Sequence, residues 1–236
     1  MPAVTIALWG GLFADDPTRR DREQTWRRDR VVASLQHDLG IDEPTARSVW
    51  STAVLTFRTA WHDEQHTVGI ARALGEGLAA HGLCPGPNLG VLVAELETRA
   101  LDDLPQPLPG AAEALADLAE HWPVGILCDV RITPAPVLRQ VLDSLGLGAH
   151  IDAAVFSDEV GAARPAREVF RVAASELGVP LDALVHAGPS ESRDVLGARA
   201  AGASAIRIGE PPTLADAHCD GLPGLPAAVR AVLATS

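Results

Sequence analysis

The chain has 236 residues, 47% of them hydrophobic and 21% charged, with a formal net charge of −12. That length suits one large domain, or a core carrying a smaller insertion, and no run approaches the roughly 18 apolar residues of a membrane span. The negative balance argues against binding to a nucleic-acid backbone.

All 19 basic residues are arginine, and neither lysine nor tyrosine occurs. Schiff-base chemistry and lysine–phosphate contacts are therefore excluded. The same bias, with abundant Ala, Gly and Pro, points to a GC-rich bacterial coding genome. The N-terminus lacks a basic-then-apolar signal pattern, so a cytoplasmic location is expected. Cys84, Cys128 and Cys219 are widely spaced and form no CxxC pair. Neither a disulfide framework nor a zinc knuckle is expected from them.

In chain order, VTIALWG (4–10) reads as a buried strand that breaks at Gly10-Gly11. Some ninety residues with little strand character follow. Within them RDRVVASLQHDLG (28–40), EPTARSVWSTAVLTFRTAW (43–61) and GIARALGEGLAAHGL (69–83) read as helices. Asp42 or Glu43 before Pro44 marks a helix start. From Pro105 the pattern changes. AAEALADLAEHW (111–122) has Ala111, Leu115 and Leu118 at helical spacing, PVGILCDV (123–130) has strand length, and PVLRQVLDSLGL (136–147) is helical again. AAVFSDEV (153–160) reads as strand, AREVFRVAASELGV (166–179) as helix, ALVHAG (183–188) as strand, RDVLGARAAG (193–202) as helix and ASAIRIG (203–209) as strand. Such alternation calls for a parallel sheet with helices on both faces and right-handed crossovers. The expected organisation is an α/β core, residues 1–14 and 105–236, with an all-α cap, residues 15–104, inserted after the first strand. Ligands bind at the carboxyl ends of strands in open α/β sheets, so an insertion leaving that edge would roof the site.

Four segments then stand in order: TIALWGGLF (5–13), GILCDV (125–130), VFSDEVGAARPAREVFRVAASELGV (155–179) and HAGPSESRDVLGARAAGASAIRIG (186–209). Together they resemble the four motifs of the haloacid dehalogenase-like (HAD) superfamily with a helical cap. That family contains mostly magnesium-dependent phosphatases, with dehalogenases as a branch. The resemblance implies a Rossmann-like parallel sheet, and it allows the chemistry to be compared position by position. The nucleophilic aspartate that also ligates Mg²⁺ falls on Ala7, and the acid/base aspartate two residues later on Trp9. The threonine after the motif's glycine falls on Gly11. The phosphoryl-binding Ser/Thr of the second motif falls on Cys128, a poor donor. The lysine of the third motif falls on Arg164, beside Pro165, which keeps the charge but changes its geometry. The Gly-Asp of the fourth motif reads Gly188-Pro189, and only Asp194 matches an acidic position. The dehalogenase branch tolerates an aromatic at the Trp9 position and lacks the acid replaced by Pro189, but it needs an aspartate where Ala7 stands. Asp15 and Asp16 are nearby, yet neither starts a D-x-D pattern.

By the family mechanism no catalytic residue is therefore expected, and Mg²⁺ binding should be weak or absent because hard cations need several oxygen ligands. The polar groups expected around the old pocket are Trp9, Cys128, Asp129, Arg164, His186 and Asp194. Their alternative role is structural, with Cys128 as a small buried hydrophobe and Asp194 capping its helix or bonding nearby amides. HDEQH (62–66) puts His62 and His66 at i, i+4 but lacks a third ligand, and so reads as a polar stretch of the cap rather than a metal site. RRDREQTWRRDR (19–30), with six arginines and three acids, reads as a solvated helix face, the alternative being a grip on an anionic partner or substrate. The leading expectation is a catalytically degenerate HAD-like protein that binds a small-molecule ligand or a protein partner. The alternative is a repurposed enzyme using the capped pocket for isomerisation, cyclisation or elimination, and the third a divergent phosphatase or dehalogenase. An open cavity with converging polar groups would favour ligand chemistry, and a cavity plugged by Trp9 and Pro189 a non-catalytic role. The sequence leaves a homodimer open.

Overall fold

Alternate residues of the opening strand serve opposite faces of the sheet, as strand geometry requires. In β1 (Ala3–Ala7) every residue is buried. Val4 and Ile6 join one apolar cluster with residues of α5 (Ala111–Ala119), α6 (Ala135–Ser144) and α10 (Leu225–Thr235). Ala3 joins a second cluster with α8 (Arg167–Glu176) and α9 (Leu196–Ala201). A strand covered on both sides needs apolar residues at nearly every position, which is why it reads as a continuous apolar run.

The computed structural model describes residues 1–62, 65–209 and 214–235. Among them, the sheet holds six parallel strands in the order β3-β2-β1-β4-β5-β6. The remaining strands are β2 (Val124–Cys128), β3 (Ala153–Phe156), β4 (Leu184–Gly188), β5 (Ser204–Ile208) and β6 (Ala217–Cys219). β1 lies in the middle, pairing Val4 with Val124 on one side and Thr5 with His186 on the other. The expected α/β sheet with helices on both faces is what the structure contains.

Between β1 and α5 lie four cap helices: α1 (Pro17–Leu39), α2 (Glu43–His62), α3 (Ile70–Ala80) and α4 (Leu89–Asp102). They share their own apolar cluster, which includes Val31, Val49, Leu74, Leu92 and Leu96. The chain enters and leaves this module side by side. Ala14 N–H donates to the Gln106 carbonyl at 2.9 Å and Leu108 N–H to that of Leu12 at 2.8 Å. Among the described residues no helix is long and apolar enough to cross a membrane.

Several boundaries differ from the sequence reading. Helix α1 runs unbroken through the helix face read at 19–30 and the helix read at 28–40, and it starts at Pro17, because the Asp16 carboxylate accepts from Thr18 N–H at 2.9 Å and Pro17 occupies the first turn. The strand in AAVFSDEV stops at Phe156, and Ser157–Val160 makes one helical turn, α7. Glu191–Val195 forms a wide turn before α9 begins. Helix α4, strand β6 and helix α10 were not anticipated.

Candidate ligand site at the strand ends

The loop after β1 is set by two close approaches. Gly10 takes a left-handed φ of 73°, and a Cβ there would meet the Pro189 ring at 2.8 Å. A Cβ on Gly11 would lie 2.1 Å from the Ala7 carbonyl oxygen. The chain folds back so tightly because Leu12 N–H donates to that same oxygen at 3.0 Å and Phe13 N–H to the Leu8 carbonyl at 2.8 Å. This loop has no room for a threonine at position 11, so Gly11 is required by sterics. Ala7, fully buried at the end of β1, offers only a methyl group.

Behind the loop the buried charges bind one another. Arg164 is buried, and its backbone N–H and guanidinium Nε both donate to Asp129 Oδ1, at 3.0 and 3.3 Å. Its Nη2 donates to Asp129 Oδ2 at 3.1 Å, while Nη1 donates to Asp194 Oδ1 at 2.5 Å. Burial alone would lower the arginine's pKa, but the two carboxylates hold it above its usual value. Burial likewise works against the Asp194 carboxylate, yet Arg164, then His186 and the Ser190 amide, bring its pKa below the ordinary range. Ser190 N–H donates to Asp194 Oδ2 at 2.7 Å. His186 Nε2 lies 3.2 Å from Asp194 Oδ1, and His186 Nδ1 lies 3.0 Å from Thr5 Oγ1. An ionised carboxylate only accepts, so Nε2 carries the proton and Nδ1 accepts from the Thr5 hydroxyl. Burial pushes the His186 pKa down despite Asp194, which keeps the ring neutral. Gly188 is small for the sake of this network, since a Cβ there would sit 2.4 Å from the Asp194 carboxyl carbon.

In front of this network a cavity of about 310 Å³ lies between cap and core. Of the residues expected near the pocket, Trp9, Asp129, Arg164, Pro189 and Asp194 line it, and Trp9 and Pro189 border the space without filling it. Cys128 and His186 do not line it. Both are buried, Cys128 as the last residue of β2 and His186 within β4, and burial, and secondarily Asp129, pushes the Cys128 thiol far up and leaves it unreactive.

The cap side of the cavity comes from the arginine-rich stretch. Arg19, Glu23 and Arg27, spaced i, i+4, i+8 on α1, all line it, with Arg20 and Gln24. That face is therefore not simply a solvated one. Glu23 is buried, 3.4 Å from Arg99 and 3.8 Å from Arg27. Burial lowers the Arg27 pKa against the pull of Glu23. Trp61 of α2, Arg131 of the loop after β2 and Arg193 of the turn after β4 complete the mouth. The guanidinium carbons of Arg131 and Arg193 lie 4.9 and 4.8 Å from the Trp61 ring centroid. These three were missed from the sequence. The two arginines carried a usable signal, since both occupy strand-end loops. HDEQH runs through Asp63 and Glu64, which, with the His62 side chain, lie outside the described residues. Among the described residues, no group of three or more His, Cys, Asp or Glu side chains is placed to hold a metal ion.

The Mg²⁺ that the resemblance implies requires several oxygen ligands. Ala7 and Pro189 supply no side-chain oxygen, and the carboxylates of Asp129 and Asp194 already bind a buried guanidinium. The residues present do not fit the ion.

A family model described as haloacid dehalogenase-like hydrolase matches residues 23–202, so the matched stretch begins within α1, beyond β1 and its loop. Phosphoserine phosphatase of Thermus thermophilus is 35% identical over 97 residues, 41% of this chain and 39% of that protein. Pyrimidine 5′-nucleotidase YjjG of Escherichia coli is 31% identical over 105 residues, 44% and 45% of the two chains. The chain thus spans less than half the length of these curated relatives. A HAD phosphatase from Thermococcus onnurineus superposes with a TM-score of 0.65 at 24% identity, covering 97% of this chain and 98% of the other. The L-2-haloacid dehalogenase of Xanthobacter autotrophicus with chloropropionic acid covalently bound gives 0.59 at 18% identity, covering 98% of each. These likenesses carry the fold, and the family match spans most of the sequence: the chain belongs to the haloacid dehalogenase-like hydrolase family.

Proposed function

We propose that the chain is a catalytically degenerate HAD-like protein that binds a small-molecule ligand between a cap, residues 15–104, and a core, residues 1–14 and 105–236. One observation carries the reading. Where the family places a nucleophilic aspartate there is the buried methyl group of Ala7, and Asp129 and Asp194, the acids carried by the loops after β2 and β4, are both committed to Arg164. Covalent phosphoryl transfer or ester formation needs an activated nucleophile on the strand end, and no cavity-facing group of β1 can serve. Loss of such a residue typically removes several orders of magnitude of rate. An open cavity lined by charged side chains supports a ligand rather than a plug.

The test is hydrolysis of phosphoserine, a pyrimidine 5′-nucleotide and L-2-chloropropionate, with and without Mg²⁺. The expected result is no turnover above the uncatalysed background and no change of melting temperature on adding Mg²⁺. Mg²⁺-dependent turnover abolished by substituting a single residue would overturn the proposal and favour a divergent hydrolase. The same open cavity also suits the second reading, a repurposed enzyme, which would show as chemical conversion of a bound ligand without Mg²⁺.

A further inference from the structure

The cavity differs in charge from the rest of the molecule. Among the described residues, six arginines and five acids line it, in a chain whose formal net charge is −12. The acids are largely engaged: Asp129 and Asp194 bind Arg164, Asp15 pairs with Arg20 at 3.2 Å, and Asp16 caps α1. The arginines are engaged less evenly. Arg164 has both its carboxylates and lies behind the loop, so it has little left to offer a ligand. Arg131 has no ion-pair partner within 4 Å among the described residues, and its guanidinium carbon lies 4.9 Å from the Trp61 ring centroid. Among the described residues, Arg193 reaches a carboxylate only at 3.8 Å, on Asp129. Arg27 has Glu23 at 3.8 Å and the Thr133 hydroxyl at 3.4 Å, and its Nε is buried without a hydrogen-bond partner. Partial burial, and then the neighbouring charge of Arg193, lowers the Arg131 pKa, so the pair at the mouth repel each other where water is partly excluded.

We propose that Arg131 and Arg193, held against Trp61, bind the oxyanion of a small organic acid with a flat apolar body, with Arg27 facing it from the cap. An anion between two guanidinium groups relieves their repulsion and accepts forked, charge-assisted hydrogen bonds. Trp61 and Trp9 give the body aromatic walls. The oxyanion is thus gripped at the cavity mouth, away from the strand end, where Ala7, Trp9 and Pro189 leave no donor set for it. Carboxylate and phosphonate share this chemistry, and the experiment separates them.

This inference rests on the ligand-binding reading, and the probes are chosen so that the two can fail separately. Phenylphosphonate carries a P–C bond that a phosphatase does not cleave, so it reports the site whether or not the protein hydrolyses esters. Titration calorimetry and tryptophan fluorescence of the full chain with phenylphosphonate, phenylacetate and inorganic phosphate should show saturable binding of at least one aromatic probe, weakening as salt is raised. Whichever of the two binds more tightly identifies the head group. Arg131→Gln and Arg193→Gln should each weaken that binding by about tenfold or more. Arg131→Lys should retain part of it, and Arg72→Gln, on the outer face of α3, should leave it unchanged. Circular dichroism checks that each variant folds. Absence of saturable binding of both aromatic probes, or an affinity in the Gln variants equal to that of the parent, would overturn the assignment. Inorganic phosphate binding as tightly as phenylphosphonate would overturn the part given to the aromatic walls.

Discussion

A single residue, Arg164, ties together the charges beside the end of β1. The family lysine it replaces is a compact point charge, whereas a guanidinium is a planar fork that can serve two carboxylates at once. Here it does so, donating two bonds to Asp129 and one to Asp194, while the Arg164 backbone N–H adds a third to Asp129. A buried group of this kind adds little net stability over a well-packed apolar core, but removing one partner is expensive because the others are left charged and dry. Arg164→Met strands two carboxylates, and should lower unfolding free energy by about 3–5 kcal/mol. Arg164→Lys keeps a cation between them but cannot span both, so its loss should be the smaller one. Urea denaturation of the two variants against the parent measures both. Equal losses would mean that geometry at this position is immaterial, and no loss in Arg164→Met would remove the network as a structural element. Ala7 and Gly11 belong to the same account. A carboxylate at position 7 would enter a fully buried place, and a side chain at position 11 would collide with the Ala7 carbonyl oxygen, so the loop's backbone suits the small side chains it carries.

At the level of elements, the sheet was readable because a strand buried on both faces leaves an uninterrupted apolar run, and VTIALWG, PVGILCDV and ALVHAG all show one. What escaped did so for identifiable reasons. Strand β6 has three residues, Ala217–Cys219, too short for any period to register. The first part of α1 reads as a charged helix face, but its apolar stripe does not emerge until Val31, so its continuity with the helix at 28–40 and its start at Asp16-Pro17 were not evident. The residues of the site split in the same way. Trp9, Arg164 and Asp194 follow from motif positions, while Trp61 comes from a cap helix whose packing onto the core no local pattern encodes. Helix α4 is different, since Leu92, Leu96 and Ala100 are buried at i, i+4, i+8 and the pattern could have been found. Its role is open to measurement. Leu96 is fully buried within the cap cluster, and Val91, on the same helix, is 59% exposed. Leu96→Ala should cost about 2–5 kcal/mol in unfolding free energy, and Val91→Ala no more than about 0.5 kcal/mol. Similar effects from both would mean that α4 is not packed as described.

For the molecule as a whole, two electrostatic effects oppose each other as pH falls. The sequence pI is near 5.0 and the net charge at neutrality is −12, so acidification toward the pI relieves self-repulsion and favours the compact state. The buried network pulls the other way. Stability rises with pH wherever the unfolded chain binds more protons than the folded one. His186 has a folded pKa below its ordinary value near 6.5, so below about pH 7 the unfolded chain takes up a proton that the folded one refuses. Asp194 has a folded pKa below its ordinary value of about 3.9. Its contribution is complete above about pH 5 and disappears as pH falls toward the folded value. Surface repulsion is screened by salt and a buried network is not, so urea midpoints measured in about 0.5 M NaCl separate the two. In high salt the midpoint should stay level from pH 8 to 7, decline from 7 to 5, and fall more steeply below about 4.5. His186→Gln, whose amide can still donate to Asp194 and accept from Thr5, should remove the decline between pH 7 and 5 and keep the steeper loss below it. An unchanged slope between pH 7 and 5 in that variant would show that the neutral, buried ring of His186 is not what makes this protein sensitive to mild acid.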